Sequence, residues 1–246
     1  MSTIEDGAPL LTGIADTGEV VEMFDVTGGN NLRFVDEMCR MQSENFSTYT
    51  GVPDRIRAEA ALPAQRNGLI VAQWFYTVDG KTASYQVADI NLARRTQTVV
   101  FGAVEKPFRR LTFGGTRLYQ WATAGRRSLV ARVITDDWLG TIAESSDKAL
   151  PVLLTSGWIP LPIEYQAPVH LTAWRELGLE TESLTLIWLP PDGLSPEQAA
   201  ELQPKVYERA AASFLLDLYG LDASIPWVAE LCGNEVNRPR TSREPA

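Results

Sequence analysis

The chain has 246 residues, of which 45% are hydrophobic and 22% are charged. That is enough apolar material for one large core or two modest ones, so the composition excludes a disordered chain and predicts a globular fold. The longest strongly apolar run, Leu69–Tyr76, is far shorter than the roughly 20 residues that cross a bilayer, and we expect no membrane span. Because the first residues are acidic and only two cysteines are present, we expect no secretory signal and a reducing, cytoplasmic compartment.

The N-terminal part of the chain predicts an arm followed by helices. Residues 1–30 are rich in glycine, threonine and acids, which is typical of an extended arm, with one short strand at Val20–Val26. Apolar residues then recur at helical spacing and predict a helix over 31–46. A second short helix is predicted over 54–62, where an aspartate can cap the start and a proline follows the end.

Residues 68–135 are expected to form the core sheet, because β-branched and aromatic residues recur there in short runs separated by turn signals. Two hairpins are predicted, at Asp79-Gly80 and at Gly114-Gly115, since these pairs tolerate the positive φ of a tight turn. Short links favour antiparallel pairing. The strands that we predict here are Leu69–Val78, Thr82–Ile90, Thr96–Val104, Arg109–Phe113, Thr116–Ala122 and Ser128–Thr135.

The C-terminal part combines short strands with a helix. Prolines divide residues 136–189 into pieces, and the predicted strands are Ile163–Trp174 and Ser183–Leu189. A capping serine, a proline at the first helical position and a glutamine at the third then predict that a helix begins at Pro196. Pro204 is expected to kink or restart this helix before it ends at Gly220.

Together these elements predict an α+β fold with an antiparallel β-sheet or barrel core, formed by residues 68–135 and strands near 163–189, an N-terminal helix and a kinked C-terminal helix. No repeat or linker divides this core. We therefore expect an extended acidic arm at 1–30, a single α+β domain at 31–232 and a flexible polar tail at 233–246. The tail is too polar to bury enough surface to become ordered alone.

The formal net charge of −9 is unevenly distributed along the chain. Six acidic and no basic residues precede Arg33, whereas residues 91–135 hold nine basic residues and one acid. Three arginine pairs lie near the ends of predicted strands, where they are expected to form a basic sheet edge that an acidic arm can bind. The residues that we expect to carry this interaction are Arg94, Arg95, Arg109, Arg110, Arg126 and Arg127 on the edge, and Asp16, Glu19, Glu22 and Asp25 on the arm.

Few residues suit catalysis. His170 is the only histidine and alternates with apolar neighbours, so we interpret it as structural. We interpret Asp136-Asp137 as a turn, although an enzyme that pairs Asp137 with a distant acid such as Glu164 stays open. One histidine and two distant cysteines do not make the usual zinc sites, and neither glycine pair has the lysine of a phosphate loop. We expect no catalytic residues, no metal and no cofactor.

Two aromatic pairs support an alternative function. Trp74/Tyr76 and Tyr119/Trp121 are each spaced by two residues, so each pair would share one face of a strand. Such faces usually belong to the core, but they also line ligand pockets. A small-molecule or carbohydrate binding β-barrel is therefore one alternative, and an enzyme with an unrecognised carboxylate site is another.

The function that these features favour is that of a non-catalytic structural or assembly protein. An acidic arm, a basic edge and a polar tail suit a subunit whose arm lies across a neighbouring copy, as in the capsid, connector and tail proteins of phages and viruses. We expect a homo-oligomer whose partners are other protein subunits, in the cytoplasm or in a virion. We do not expect a membrane or nucleic acid as a partner, because the whole chain is acidic and shows no recognition motif.

Overall fold

The structure of the chain is a computed structural model that describes residues 7–49, 51–134, 137–171, 175 and 178–241. The chain divides into two compact units. The segments that make up the units are Met1–Gln65, Val71–Ala88 and Val100–Val133 for the first, and Arg66–Ile70, Asp89–Val99 and Ile134–Ala246 for the second. The predicted boundaries at residues 30 and 232 do not coincide with this division.

Strands and helices are interspersed along the chain. The elements up to residue 130 are β1 (Leu11–Ile14), β2 (Val20–Asp25), α1 (Val35–Asn45), α2 (Val52–Ala60), β3 (Gln65–Arg66), β4 (Leu69–Val78), β5 (Lys81–Asn91), β6 (Thr96–Val104), β7 (Thr112–Phe113), β8 (Thr116–Arg117) and α3 (Leu118–Val130). The later elements are β9 (Thr141–Ser145), α4 (Leu150–Leu154), β10 (Ile159–Pro160), β11 (Gln166–Pro168), β12 (Thr181–Ser183), β13 (Thr185–Leu189), α5 (Pro196–Ala212) and α6 (Pro226–Cys232). A π-helix, Ser213–Leu218, continues α5 directly.

The strands form a mixed, mostly antiparallel sheet. In the first unit they pair in the order β1-β2-β4-β5-β6, and in the second unit in the order β6-β9-β13-β10. The β6 and β9 strands run parallel, through Gln97–Val99 and Thr141–Ala143. The ladders of β1 with β2, β2 with β4, β9 with β13 and β10 with β13 are antiparallel. The predicted α+β class is confirmed, whereas the barrel is wrong, because among the described residues the strand order stays open.

Strong local signals predicted their elements well. Asp79 and Gly80 join β4 to β5, with φ of 47° and 73°, as a type I′ turn requires. Strand β6 has the predicted bounds. At the start of α5, Oγ of Ser195 accepts a hydrogen bond from the amide of Gln198, whose side chain accepts one from the amide of Ser195. Both helices predicted within 31–62 are present as α1 and α2.

The prediction of an extended arm is wrong for residues 11–25. Strand β2 pairs with β1 on one side and with β4 on the other. Val21 and Met23 are fully buried, because alternate residues of a strand point to the same face and this face packs in the core. This part of the chain therefore belongs to the first unit's sheet.

Helix α3 replaces two predicted strands, over Thr116–Ala122 and Ser128–Thr135. Leu118, Ala122 and Val130 recur at helical rather than strand spacing, and all three are buried on one face of the helix. The Gly114-Gly115 hairpin is present but joins only the two-residue strands β7 and β8. Residue 135 lies outside the described residues.

The aromatic pairs do not line a binding face. Trp74 and Tyr76 do share a face of β4, but both are buried in a core cluster with Met23, Ala88 and Ala122. Tyr119 and Trp121 lie on α3, where residues two apart point in different directions.

The C-terminal part differs from the prediction at three places. The strand predicted at 163–174 is reduced to β11, with residues 172–174 outside the described residues, and 183–189 divides between β12 and β13. Helix α5 continues through Pro204, so it does not restart there, while the predicted kink stays a prediction. In the described part of the predicted tail, Glu235 and Thr241 are buried: Glu235 forms an ion pair with Arg94, and Thr241 forms hydrogen bonds with Asn91 and Asp217. Among the described residues, no helix is both long and apolar enough to cross a bilayer.

Candidate functional site

The carboxyl group of Glu144 forms the centre of the candidate site. Glu144 is a half-buried residue of β9 between the buried Ala143 and Ser145. Its Oε1 accepts a hydrogen bond from the hydroxyl group of Tyr165, and its Oε2 accepts one of 2.7 Å from the hydroxyl group of Tyr219. Both tyrosines are buried. Two tyrosine hydroxyl groups therefore bind one carboxyl group, and the residue that carries it is partly accessible to solvent.

The surroundings of Glu144 change its acidity. Burial raises the pKa of Glu144 to about 7, although the hydrogen bonds from Tyr165 and Tyr219 act in the opposite direction. The negative charge of Glu182, which is exposed on β12, makes a smaller contribution to this rise. Burial also raises the pKa of Tyr165, so its hydroxyl group stays protonated and can donate to the carboxyl group. A carboxyl group with a pKa near 7 can accept or release a proton at neutral pH.

Three segments of the second unit position this cluster. Strand β9 pairs along its whole length with β13, where Glu144 lies opposite Leu186, and along its first three residues with β6. Tyr165 precedes β11, and Tyr219 follows the π-helix. A strand with ladders on both sides is a rigid support for a catalytic group.

The sequence interpretation did not single out Glu144. The signal available was a carboxylate that directly follows the apolar residues Ile142 and Ala143, since a charged residue in a buried strand needs partners or a function. The tyrosines that supply its hydrogen bonds are 21 and 75 residues away, so their convergence is visible only in the folded chain.

The residues considered earlier for catalysis lie in other surroundings. His170 is half-buried just after β11, and Glu164 is exposed. Asp137 is exposed and forms an ion pair with Arg95, with Nη1 of Arg95 2.6 Å from Oδ2 of Asp137. Asp136 lies outside the described residues. Within the described ranges, no three His, Cys, Asp or Glu side chains are grouped so as to hold a metal ion.

Arg94 is not part of a surface edge, because it is fully buried in the second unit. Its Nε donates to Oδ2 of Asp217 at 2.5 Å, and its Nη1 donates to Oε2 of Glu235 at 2.8 Å. The side-chain amide of Asn91 donates to the same Asp217 oxygen at 2.8 Å. The next residue, Arg95, keeps 40% of its side chain exposed. The two members of this arginine pair therefore lie in different surroundings, one in the interior and one at the surface.

The other two arginine pairs also differ from the prediction. Arg126 and Arg127 lie on the buried side of α3, and Nη1 of Arg126 donates to the hydroxyl group of Tyr76 at 2.9 Å. Arg109 and Arg110 are exposed in the loop before β7. The structure thus does not bring the six arginines to one edge, and a role of Arg109 and Arg110 in contacting a partner stays a prediction.

The four acids of the expected arm contact residues of their own unit. Asp16 accepts hydrogen bonds from the amides of Gly114 and Gly115, at 2.6 and 3.2 Å. Hydrogen bonds from the Thr112 side chain and from these amides lower the pKa of Asp16. The remaining contacts are those of Glu19 with Thr17, of Glu22 with Thr77 and of Asp25 with Thr27.

No family model matches the chain, and no curated protein matches it in sequence. The chain does resemble solved structures. An uncharacterized protein from Bacillus halodurans is 11% identical, over 82% of this chain and 98% of that chain, with a TM-score of 0.45. The ribosomal-protein-S18-alanine N-acetyltransferase from Escherichia coli is 10% identical, over 71% and 99%, with a TM-score of 0.42. An acetyltransferase from Streptococcus agalactiae is 12% identical, over 69% and 98%, with a TM-score of 0.46.

These comparisons contradict the prediction of a non-catalytic assembly protein. The named structures that the chain resembles include several acetyltransferases, which are enzymes. They give no support to a virion, phage or assembly role or to the prediction of a non-enzyme. At 10 to 12% identity, the chemistry of this chain has to be argued from its own residues.

Proposed function

We propose that the chain is an enzyme that transfers an acyl group to a nucleophile, with Glu144 accepting the proton of the nucleophile. The observation that carries the proposal is the position of the Glu144 carboxyl group, between two tyrosine hydroxyl groups on a strand held from both sides. Acyl transfer is the reaction of the acetyltransferases named above, and it is the first class to test. The proton-transfer role rests on this chain alone.

The proposed step needs one proton acceptor. An amine or hydroxyl nucleophile forms a bond to the carbonyl carbon of a thioester, the carbon–sulfur bond breaks, and the electron pair leaves on the thiolate. Ionised Glu144 accepts the proton that the nucleophile loses and later releases it to solvent, and the thiolate takes up a proton from solvent to become a thiol. A base with a pKa near the working pH is suited to this transfer, because it is partly ionised and still basic.

The test compares Glu144→Gln with the matched control Glu164→Gln. Glu164 is exposed and adjacent to Tyr165, so its substitution changes charge without changing the cluster. Each variant is incubated with acetyl coenzyme A and a panel of amines and alcohols, and thiol release and product mass are measured. We expect Glu144→Gln to lose roughly 10²- to 10⁴-fold in rate, and Glu164→Gln to stay close to the wild type. A folded Glu144→Gln variant with the wild-type rate would contradict the proposed role.

Two earlier expectations stay predictions. Association with further copies of the chain is tested by light scattering after size-exclusion chromatography, and a cytoplasmic location by cell fractionation.

A further inference from the structure

The segment that connects α5 to Tyr219 departs from α-helical geometry. Ser213–Leu218 is a π-helix, and the amide of Tyr219 donates to the carbonyl oxygen of Phe214, five residues earlier, at 2.8 Å. A π-helical turn holds more residues than an α-helical turn, so each later side chain is rotated about the helix axis relative to a continuous α-helix. The direction of the Tyr219 side chain therefore depends on this segment.

Buried contacts hold the π-helix against residues at the ends of β5 and β6 and in the turn between these strands. Oγ of Ser213 lies 3.2 Å from Oγ1 of Thr96. The Asp217 carboxylate accepts hydrogen bonds from Arg94 and from Asn91, at 2.5 and 2.8 Å. Asp217 precedes Tyr219 by only two residues. The ion pair with Arg94 thus acts on the same short segment that carries a hydrogen-bond donor to Glu144.

We propose that Arg94 and Asp217 are positioning residues for the Glu144 site, because their ion pair holds the π-helix in the register that directs the Tyr219 hydroxyl group to the Glu144 carboxyl group. This inference rests on the proposed function and deepens it. Neither residue touches Glu144, and their effect is transmitted through Tyr219.

The second partner of Arg94 provides an internal comparison. Glu235 accepts from Nη1 of Arg94 at 2.8 Å, and it also lies 3.4 Å from Arg209 and 2.8 Å from Arg238. Glu235 belongs to the segment after α6 and not to the π-helix. Its loss disturbs the same arginine but leaves the contact with Asp217. If the two acids only stabilise the protein, replacing either one should have the same kind of effect. An effect on the Glu144 site that follows only the loss of Asp217 indicates positioning.

The test measures the titration of the Glu144 carboxyl group by NMR in protein labelled with ¹³C-glutamate, with the signal assigned by its loss in Glu144→Gln. The Tyr219 hydrogen bond favours the ionised carboxylate, so Tyr219→Phe is expected to raise its pKa by about half to one pH unit. The double variant Arg94→Met/Asp217→Leu removes the ion pair without changing net charge, and such apolar replacements often preserve folding. It is expected to raise the pKa of Glu144 by a similar amount.

Two controls make the result specific. Glu235→Gln is expected to leave the Glu144 titration unchanged. Adding Tyr219→Phe to the double variant is expected to give no further rise, because the hydrogen bond is already lost. If the double variant does not fold, Asp217→Asn, which weakens the pair, should give a smaller rise in the same direction.

An unchanged titration in the folded double variant would overturn the proposal, as would a full additional rise on adding Tyr219→Phe or an equal rise in Glu235→Gln. These readouts do not depend on catalysis. If Glu144→Gln kept full acyl-transfer activity, the proposed function would fail while the titrations still reported whether the ion pair positions Tyr219.

Discussion

Arg94 and Asp217 form a buried ion pair in which Nε of the arginine lies 2.5 Å from Oδ2 of the aspartate, although 123 residues separate them in sequence. Their side chains are 0% and 3% exposed. Removing two charges from water is costly, and such a pair persists only when the hydrogen bonds around it are also made. Asn91 and Glu235 supply some of these bonds. The pair connects the turn between β5 and β6 to the π-helix.

The first prediction compares two neighbouring arginines. Arg94→Ala removes the cationic partner of the buried Asp217, while Glu235 keeps its contacts with Arg209 and Arg238. The uncompensated Asp217 charge should lower the free energy of unfolding by about 3–5 kcal/mol. Arg95→Ala removes an exposed ion pair with Asp137, and such a pair contributes about 0–1 kcal/mol. Urea unfolding of the two variants measures the difference. Equal losses would mean that the Arg94 pair contributes no more than a surface pair.

The second prediction concerns the pH dependence of stability. The pKa of Glu144 is raised from 4.5 to about 7 on folding, so the folded state binds this proton more tightly than the unfolded state. The resulting stabilisation is fully present below pH 4.5 and is lost as the pH rises through 7. It amounts to about 3 kcal/mol at most.

Glu144→Gln removes this titration and serves as the reference. The free energy of unfolding, measured in urea from pH 4 to pH 8, should fall with rising pH more steeply in the wild type than in the variant. If the difference in free energy of unfolding between wild type and variant did not change with pH, Glu144 would titrate at its ordinary value.

The third prediction tests the N-terminal hairpin as part of the core. Met23 on β2 is fully buried, whereas Ile14 on β1 is 70% exposed. Met23→Ala should lower the free energy of unfolding by about 2–5 kcal/mol, because it leaves a cavity. Ile14→Ala should change it by less than about 1 kcal/mol. If thermal and urea unfolding gave two similarly small effects, residues 11–25 would be an arm after all.

The fourth prediction separates backbone strain from steric overlap at two glycines. Gly140 and Gly18 have φ of 101° and 98°, so alanine is strained at both positions. A Cβ atom at Gly140 would lie 2.4 Å from the carbonyl oxygen of Leu189, whereas nothing lies within 4 Å of one at Gly18. Gly140→Ala should therefore cost about 1–3 kcal/mol more than Gly18→Ala.

Circular dichroism during thermal unfolding measures both glycine variants. Equal melting temperatures would show that the backbone next to β13 moves to admit a methyl group. Because Gly140 directly precedes β9, the same variant reports how rigidly that strand is held.

The structure shows where sequence patterns suffice. The Asp79-Gly80 turn and the Ser195 cap depend on residues within four positions of one another, and both were predicted. Helix α3 was missed because Thr116–Ala122 contains β-branched and aromatic residues that favour strands, while its helical periodicity is clear only over its full length. There the packing of one face decided the conformation against local propensity.

By itself, the sequence determined the α+β class, the main hairpin, strand β6 and the start of α5, because these depend on local backbone preferences and hydrophobic spacing. Only the tertiary structure decided which charges are buried. Arg94 and Arg95 are identical in type and adjacent in sequence, yet one lies in the interior and the other at the surface. Glu144 likewise depends on Tyr165 and Tyr219, which only folding brings to it. Burial and ion pairing are long-range interactions, so their outcome is set by residues that are distant in sequence and close in space.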